Sequence, residues 1–205
     1  MWFLNYSNLV DPLLKDLRRF TVKFAEIKKE DRVLDIGCAT GDQVFNYNRA
    51  GAFAAGIDSN AERVEIAEKR KKREGISNID FRVADATNLP FEDSAFDKAS
   101  VSLVLHEIES GKRNKIISEM KRVVKKDGYL IFTDFSVPLP KNISSYLIRT
   151  VEYLAGKNNY ENFKNYLDKG GLPFLLQKND LKEEETAHLN GGLLAIIKTR
   201  NSFKV

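Results

Sequence analysis

The sequence of 205 residues predicts an α/β fold, a mostly parallel seven-stranded sheet that ends in an antiparallel hairpin strand. Three observations carry this expectation. From residue 31 onward, short apolar runs alternate with helix-like segments at the spacing of βαβ units. Most of these segments end at or beside Gly, Asp or Asn, residues that suit turns and helix ends. Near the end of the chain, two strand-like runs flank Asn190-Gly191-Gly192, a hairpin signal.

Taken in order, the first element is an amphipathic helix. Val10, Leu13, Leu14, Leu17, Phe20, Phe24 and Ile27 recur at three- and four-residue steps. Arg32 to Ile36 reads as a short buried strand, punctuated by Gly37 and Gly41, and Gln43 to Arg49 as a short helix. Ala52 to Ile57 is a second strand, ended by Asp58. Asn60 to Glu74 is a helix with Ser59 or Asn60 at its start and Gly75 as its stop. Ile79 to Val83 and Asp97 to Leu103 are the next strands. A helix from about Gly111 to Lys125 then carries Ile116, Ile117, Met120, Val123 and Val124 on one face. Lys126-Asp127-Gly128 is expected to turn, and Tyr129 to Phe135 to form a strand rich in β-formers. Ile143 to Ala155 and Tyr160 to Lys169 read as helices, and Glu184 to Leu189 with Leu193 to Lys198 as the hairpin. One domain is expected over 1–205, with a helical cap (1–30), a core (31–135), a helical lid or insert (136–172) and the hairpin (173–205).

Composition narrows the class. The single cysteine, Cys38, excludes an intramolecular disulfide and a Cys-based zinc site. Only His106 and His188 stand beside it, so no protein-held metal is expected. No apolar run approaches the roughly 18 residues of a membrane span, and a reduced, cytoplasmic protein is the expectation. The net charge of +4 comes from 33 basic and 29 acidic residues, well mixed along the chain. The run Lys69-Arg70-Lys71-Lys72-Arg73 reads as the solvated end of a helix, where cations suit the macrodipole.

The chemistry concentrates in Val33-Leu34-Asp35-Ile36-Gly37-Cys38-Ala39-Thr40-Gly41-Asp42, followed by Ala54-Ala55-Gly56-Ile57-Asp58. A strand entering a glycine-containing turn lets backbone approach a ligand closely. In an open α/β sheet such a turn lies at the carboxyl edge, where ligands bind. Asp58, at the tip of the next strand, is placed to accept hydrogen bonds from a ribose diol. A dinucleotide fingerprint would need glycines where Gly37, Ala39 and Asp42 stand. The carboxylate of Asp42 would also repel a pyrophosphate. A zwitterionic methionine tail tolerates it, which favours S-adenosylmethionine over NAD.

This segment resembles the first motif of class I S-adenosylmethionine-dependent methyltransferases, an acidic residue before a GxGxG turn. Val83 to Phe91, Ser94 to Asp97, Val101 to Ile108 and Glu119 to Leu130 resemble further segments of that family. The chain is most similar to the small-molecule branch that includes the ubiquinone/menaquinone biosynthesis (type 11) methyltransferases. Asn159 to Leu172 resembles the late helix of those quinone-type relatives. The resemblance implies a Rossmann-like three-layer sandwich that takes S-adenosylmethionine and releases S-adenosylhomocysteine. It implies cofactor contacts from Gly37 and Thr40 at the methionine end, with Gly41 completing the turn. Asp58 would hold the ribose hydroxyls and Asp85 the adenine amino group, with the Ala86 amide beside it. Ser102 would lie under the sulfonium and carboxyl region, and Asp35 would orient the turn or the ligand's amino group. One departure is Ala39 in place of the middle glycine; at positive φ it costs about 1 kcal/mol and weakens cofactor binding slightly.

Methyl transfer needs a base only where the acceptor holds its proton. His106 is the candidate, with pocket lining or capping as its structural alternative. The expected partner is a small acceptor, aromatic or apolar, taken up by a monomer or homodimer. A cover is expected from Trp2, Phe3, Tyr6 and the first helix, and from Phe135, Tyr146, Tyr153, Tyr160, Phe163 and Tyr166. Those aromatics could equally be ordinary core. Three other readings are weaker. A nucleic-acid methyltransferase lacks a base-reading motif and a strong basic excess, a non-catalytic cofactor-binding module rests on Ala39 alone, and an NAD oxidoreductase fails at Asp42. Arsenic methylation would need several thiols.

Overall fold

The computed structural model describes the backbone of residues 6–202 and the side chains from residue 14 onward. Trp2 and Phe3, and the side chains of Tyr6, Val10 and Leu13, lie outside the described residues. Helix α1 (Tyr6–Phe24) precedes strand β1 (Arg32–Ile36), four of whose five residues are buried. Gly41 then leads into α2 (Asp42–Arg49), and β2 (Phe53–Asp58) follows. In α3 (Ala61–Glu74) the Asn60 side chain accepts from the Glu62 and Arg63 amides, and Gly75 closes the helix at φ 65°. These are the start and stop signals read from the sequence.

Strands β3 (Ile79–Val83) and β4 (Phe96–Ser102), helix α4 (Ser110–Val123) and β5 (Val124–Phe135) complete the parallel part. Helices α5 (Ile143–Leu154), α6 (Lys157–Asp168) and α7 (Gly171–Lys178) follow, and β6 (Glu183–Leu189) and β7 (Leu194–Arg200) form the hairpin. The seven strands run in the order β3-β2-β1-β4-β5-β7-β6, and β7 is antiparallel to both neighbours. The order in which successive strands are added reverses between the parallel neighbours β1 and β4, which opens a crevice beyond their carboxyl ends. Leu34, Ile36, Val101 and Phe132 pack with Ile116, Ile117 and Met120 of α4 in the largest core cluster. Val33 and Ala54 pack with Val44 and Phe45 of α2 and Val64 and Ala67 of α3 in a second.

Two expectations need correction. Lys126-Asp127-Gly128 does not separate a helix from a strand, because β5 runs unbroken from Val124 with Asp127 as an irregular residue at φ 64°. The Asp127 amide and the Gly128 carbonyl bond Asn201 across the sheet, so the local turn signal is absorbed into a bulged strand. The final segment is not all hairpin either. Gly170 and Gly171, at φ 95° and 62°, end one helix and start α7, which buries Leu172, Leu175 and Leu176. Pro173 sits in its first turn, where a missing N–H is tolerated. Among the described residues, no helix is long and apolar enough to cross a membrane.

Candidate active site

A cleft of about 690 Å³ opens at the carboxyl ends of β1, β2 and β4. Its first wall is the turn after β1. There the Gly37 and Cys38 amides both donate to the Ile57 carbonyl, at 2.8 and 2.9 Å, and the Ala39 amide donates to Asp58 Oδ2 at 2.9 Å. Asp58 Oδ1 takes the Asn60 amide at 2.9 Å. One carboxylate therefore ties the β1 turn to the start of α3, and Asp35, proposed for that task, makes neither bond. Gly37 sits at φ 72°, and a Cβ there would run into the Val104 side chain. Gly37→Ala is expected to cost about 2–4 kcal/mol in chemical denaturation, from backbone strain and overpacking together. Ala39 is at φ 47°, the left-handed region anticipated for the glycine it replaces.

Asp35, Gly37, Thr40, Asp58, Asp85, Ala86, Ser102 and His106 all line this cleft. Gly41 does not. At φ 85° it packs against the Phe81 ring, which an added Cβ would approach to 2.6 Å, so its place is structural. Cys38 is buried inside the turn, and burial pushes its thiol well above the ordinary range, leaving it protonated.

At the methionine end expected from the resemblance, Asp35 is buried and accepts from the Ser100 hydroxyl at 2.7 Å; Tyr47 in turn donates to Ser100 at 2.9 Å. Burial pushes the Asp35 carboxyl up to about 7. Gln43 Nε2, also buried and on a cleft-lining side chain, has no hydrogen-bond partner among the described residues. Asp42 is paired with Arg18 at 3.2 Å and Arg70 at 2.6 Å, and Arg70 stacks on Phe45 at 4.0 Å. The basic run is thus only partly a solvated helix end: Lys72 and Arg73 are exposed, whereas Arg70 is half-buried and paired with the cleft-lining Asp42. At the opposite end Asp85 is exposed and its Oδ1 accepts from both the Thr87 amide and hydroxyl at 2.8 Å. These bonds hold its carboxyl below the usual range. They make the Asx turn that competes with a purely ligand-binding role.

His106 closes the third side. It is buried, its Nδ1 lies 2.6 Å from Asp134 Oδ1, and its backbone amide donates to Asp134 Oδ2 at 3.1 Å. Its Nε2 lies 3.8 Å from both Glu107 Oε1 and Glu152 Oε1. Burial alone would lower the His106 pKa. The carboxylates of Asp134, Glu152 and Glu107 outweigh it and hold the imidazole above its ordinary value. Of the six aromatics from Phe135 to Tyr166 proposed as part of a cover, only Phe135 lines the cleft. Phe163 and Tyr166 are core behind it, and Tyr146 and Tyr153 are exposed on α5.

Sequence reasoning passed over Asp134, Glu152 and Gln43. Asp134 is a lone carboxylate inside the apolar run Ile131-Phe132-Thr133-Asp134-Phe135, and Glu152 is the one acidic residue of the α5 segment Ile143 to Leu154. That oddity was their available signal.

A family model described as "Methyltransferase domain" matches residues 27–183. A demethylmenaquinone methyltransferase from Paenarthrobacter aurescens is 29% identical over 192 residues, 87% of this chain and 73% of that one. The ubiquinone/menaquinone biosynthesis C-methyltransferase UbiE of Pectobacterium carotovorum is 28% identical, covering 87% and 77%. Among solved structures, the YcgJ protein of Bacillus subtilis superposes with a TM-score of 0.67 at 19% identity, covering 93% of this chain and all of that one. A methyltransferase structure from Methanosarcina mazei gives 0.68 at 24% identity, covering 89% and 98%. With a Rossmann-like sheet, a turn and acid at its switch point, and a family match over most of its length, the chain belongs to the methyltransferase-domain family and is an S-adenosylmethionine-dependent enzyme.

Proposed function

We propose that the protein methylates a small organic acceptor and that His106, oriented by Asp134, takes the acceptor's proton. The single observation that supports this most is spatial: the cofactor turn and His106, held from behind by Asp134, open onto one cleft. The curated relatives named for quinone methylation support a small-molecule acceptor as the class. When bound, S-adenosylmethionine supplies a methyl group already activated on a sulfonium sulfur.

The residues present suit that cofactor. Asp58 keeps free lone pairs for ribose hydroxyls while anchoring two amides. Asp85 Oδ2 is left for the adenine amino group, with the Ala86 amide beside it. Gly37 and Thr40 border the methionine end, where the orphaned Gln43 Nε2 suits a carboxylate and Asp35 suits an ammonium. Ser102, at the end of β4, lies on the wall between the turn and His106. Helix α1 and the 136–172 segment act as a cover in this reading: Leu14, Leu17 and Arg18 of α1 and Glu152 of α5 flank the cleft. Methyl transfer is then accelerated by positioning and water exclusion, with proton removal by a base that the Asp134 bond holds in one orientation.

Asp35 gives this binding mode a pH signature. Below about 7 it is protonated in the free protein, and an ammonium needs the carboxylate. Adenosylhomocysteine affinity is therefore expected to fall as pH drops from 8 to 6, by up to about tenfold per unit, and to flatten in Asp35→Asn. Equal affinity across that range would remove Asp35 from the ammonium role. The broader test is calorimetry with S-adenosylmethionine, S-adenosylhomocysteine and NAD, followed by methyl-release assays on quinol, phenol, amine and RNA panels. Transfer to RNA alone would overturn the small-acceptor reading.

A further inference from the structure

Helix α5 buries two polar side chains, Ser145 and Glu152. Ser145 is accounted for: its hydroxyl donates to the Pro140 carbonyl at 2.5 Å and bonds Asn142 Oδ1 at 3.2 Å. Glu152 is not. It is 4% exposed, lines the cleft, and its Oε2 has no hydrogen-bond partner among the described residues. Its Oε1 stands 3.8 Å from His106 Nε2, beyond hydrogen-bond reach. A buried carboxylate left this way is costly unless something that binds satisfies it.

The surrounding charge says what that something is. Three carboxylates, Asp134, Glu107 and Glu152, converge on one imidazole. Arg113, whose charge acts on Asp134, has its guanidinium bound to the Ile108 and Asn162 carbonyls and to Asn165 Oδ1. Arg63 and Lys112 also line the cleft, and Arg63 draws on Glu107. A hydroxyl acceptor that ionised here would put an oxyanion against these carboxylates, which like charge disfavours. A cation is favoured by the same field. One nitrogen bridges two atoms 3.8 Å apart with about 2.8 Å to each, and an ammonium has donors for both.

We propose that Glu152 is a specificity-determining residue, and that the acceptor is a small primary or secondary amine whose nitrogen seats between Glu152 and His106. This rests on the small-molecule methyltransferase reading and departs from the quinones named for the relatives. The amine enters as an ammonium and passes one proton to His106 Nε2. Its freed lone pair forms the N–CH3 bond while the C–S pair leaves with sulfur. The methylated ammonium keeps its ion pair with Glu152. Glu107, half-exposed beside the same imidazole, favours the same charge on the incoming molecule.

The test uses the full chain saturated with S-adenosylhomocysteine at pH 8. Benzylamine, phenethylamine and n-butylamine are titrated against benzyl alcohol, phenethyl alcohol and 1-butanol, with binding followed by calorimetry and by the His106 imidazole resonances. Amines are expected to bind at least tenfold more tightly than the matching alcohols. Glu152→Gln, which keeps shape and removes charge, is expected to erase that preference while holding adenosylhomocysteine within twofold. Alcohols binding as well as amines would overturn the proposal. So would a preference that survives Glu152→Gln, or a variant that weakens adenosylhomocysteine and amine alike, which would assign Glu152 to the cofactor. The wild-type comparison of amines with alcohols decides the acceptor class even if the variant does not fold. Failure of the wild type to bind adenosylhomocysteine would instead strike the methyltransferase reading beneath it.

Discussion

Asp58→Ala is expected to abolish measurable adenosylhomocysteine binding, a loss of at least about 100-fold, and to melt earlier than the wild type. The two effects have separate sources. The carboxylate is the group proposed for the ribose hydroxyls, and hydrogen bonds to a charged acceptor contribute about 1.5–3 kcal/mol each. It also holds the Ala39 and Asn60 amides in the absence of any ligand. Removing it should lower stability by about 2–4 kcal/mol, roughly 4–16 °C in a chain of this size. Calorimetry and a thermal scan separate the outcomes. A variant that melts early yet binds normally would leave Asp58 as a structural clamp for the turn and nothing more.

Asp134→Asn is expected to lower turnover by about 10²–10⁴, the range over which a positioned acid–base group contributes, with adenosylhomocysteine binding retained. The substitution keeps the shape of the side chain and removes the charge that orients His106 and raises its pKa. With S-adenosylmethionine saturating at every pH, kcat/KM for the acceptor should rise with pH in the wild type through a midpoint above 6.5, since the base must be neutral to accept a proton. In Asp134→Asn that midpoint should move down. His106→Gln should also lose the rise with pH, and unaltered turnover in that variant would end the base assignment. The same shift has a stability consequence. The His106 pKa is raised on folding, so its contribution is fully present below about 6.5 and is lost as pH rises through the folded value.

The parts of the molecule that were legible in the sequence are those fixed by neighbours along the chain. Arg32–Ile36 with Gly37, and Phe53–Asp58 with its terminal acid, announce strand and turn within ten residues of each other or fewer. Asn60 and Gly75 mark the ends of α3 by local capping alone. The His106–Asp134 pair was half legible: His106 was visible as a lone titratable group after an apolar strand, but nothing local named its partner. Asp134 meets it only because β4 and β5 pair in parallel, with Ser102 opposite Thr133, so that the exits of both strands converge. Glu152 arrives from α5, outside the sheet, and no periodicity of an apolar helix reveals which of its polar residues turns inward. The turn expected at Lys126-Asp127-Gly128 failed for a related reason. A turn signal states what a backbone tolerates, and cross-strand bonds to Asn201 decide what it does. Asp85 stands between these cases: its position in the cleft was legible, its Asx turn with Thr87 was an alternative already open, and the structure contains both.

Only two histidines occur in the chain, so the His106 imidazole can be followed by nuclear magnetic resonance with His188→Gln as the assignment control. A pH titration of the protein bound to S-adenosylhomocysteine, repeated with S-adenosylmethionine, asks whether the base faces the methyl group, since the two ligands differ by one methyl and one positive charge on sulfur. The expected result is a His106 pKa above 6.5 in the adenosylhomocysteine complex and a lower one in the adenosylmethionine complex, where the sulfonium opposes protonation. Identical titrations in both complexes, or a His106 that does not respond to either ligand, would contradict a shared reaction cleft.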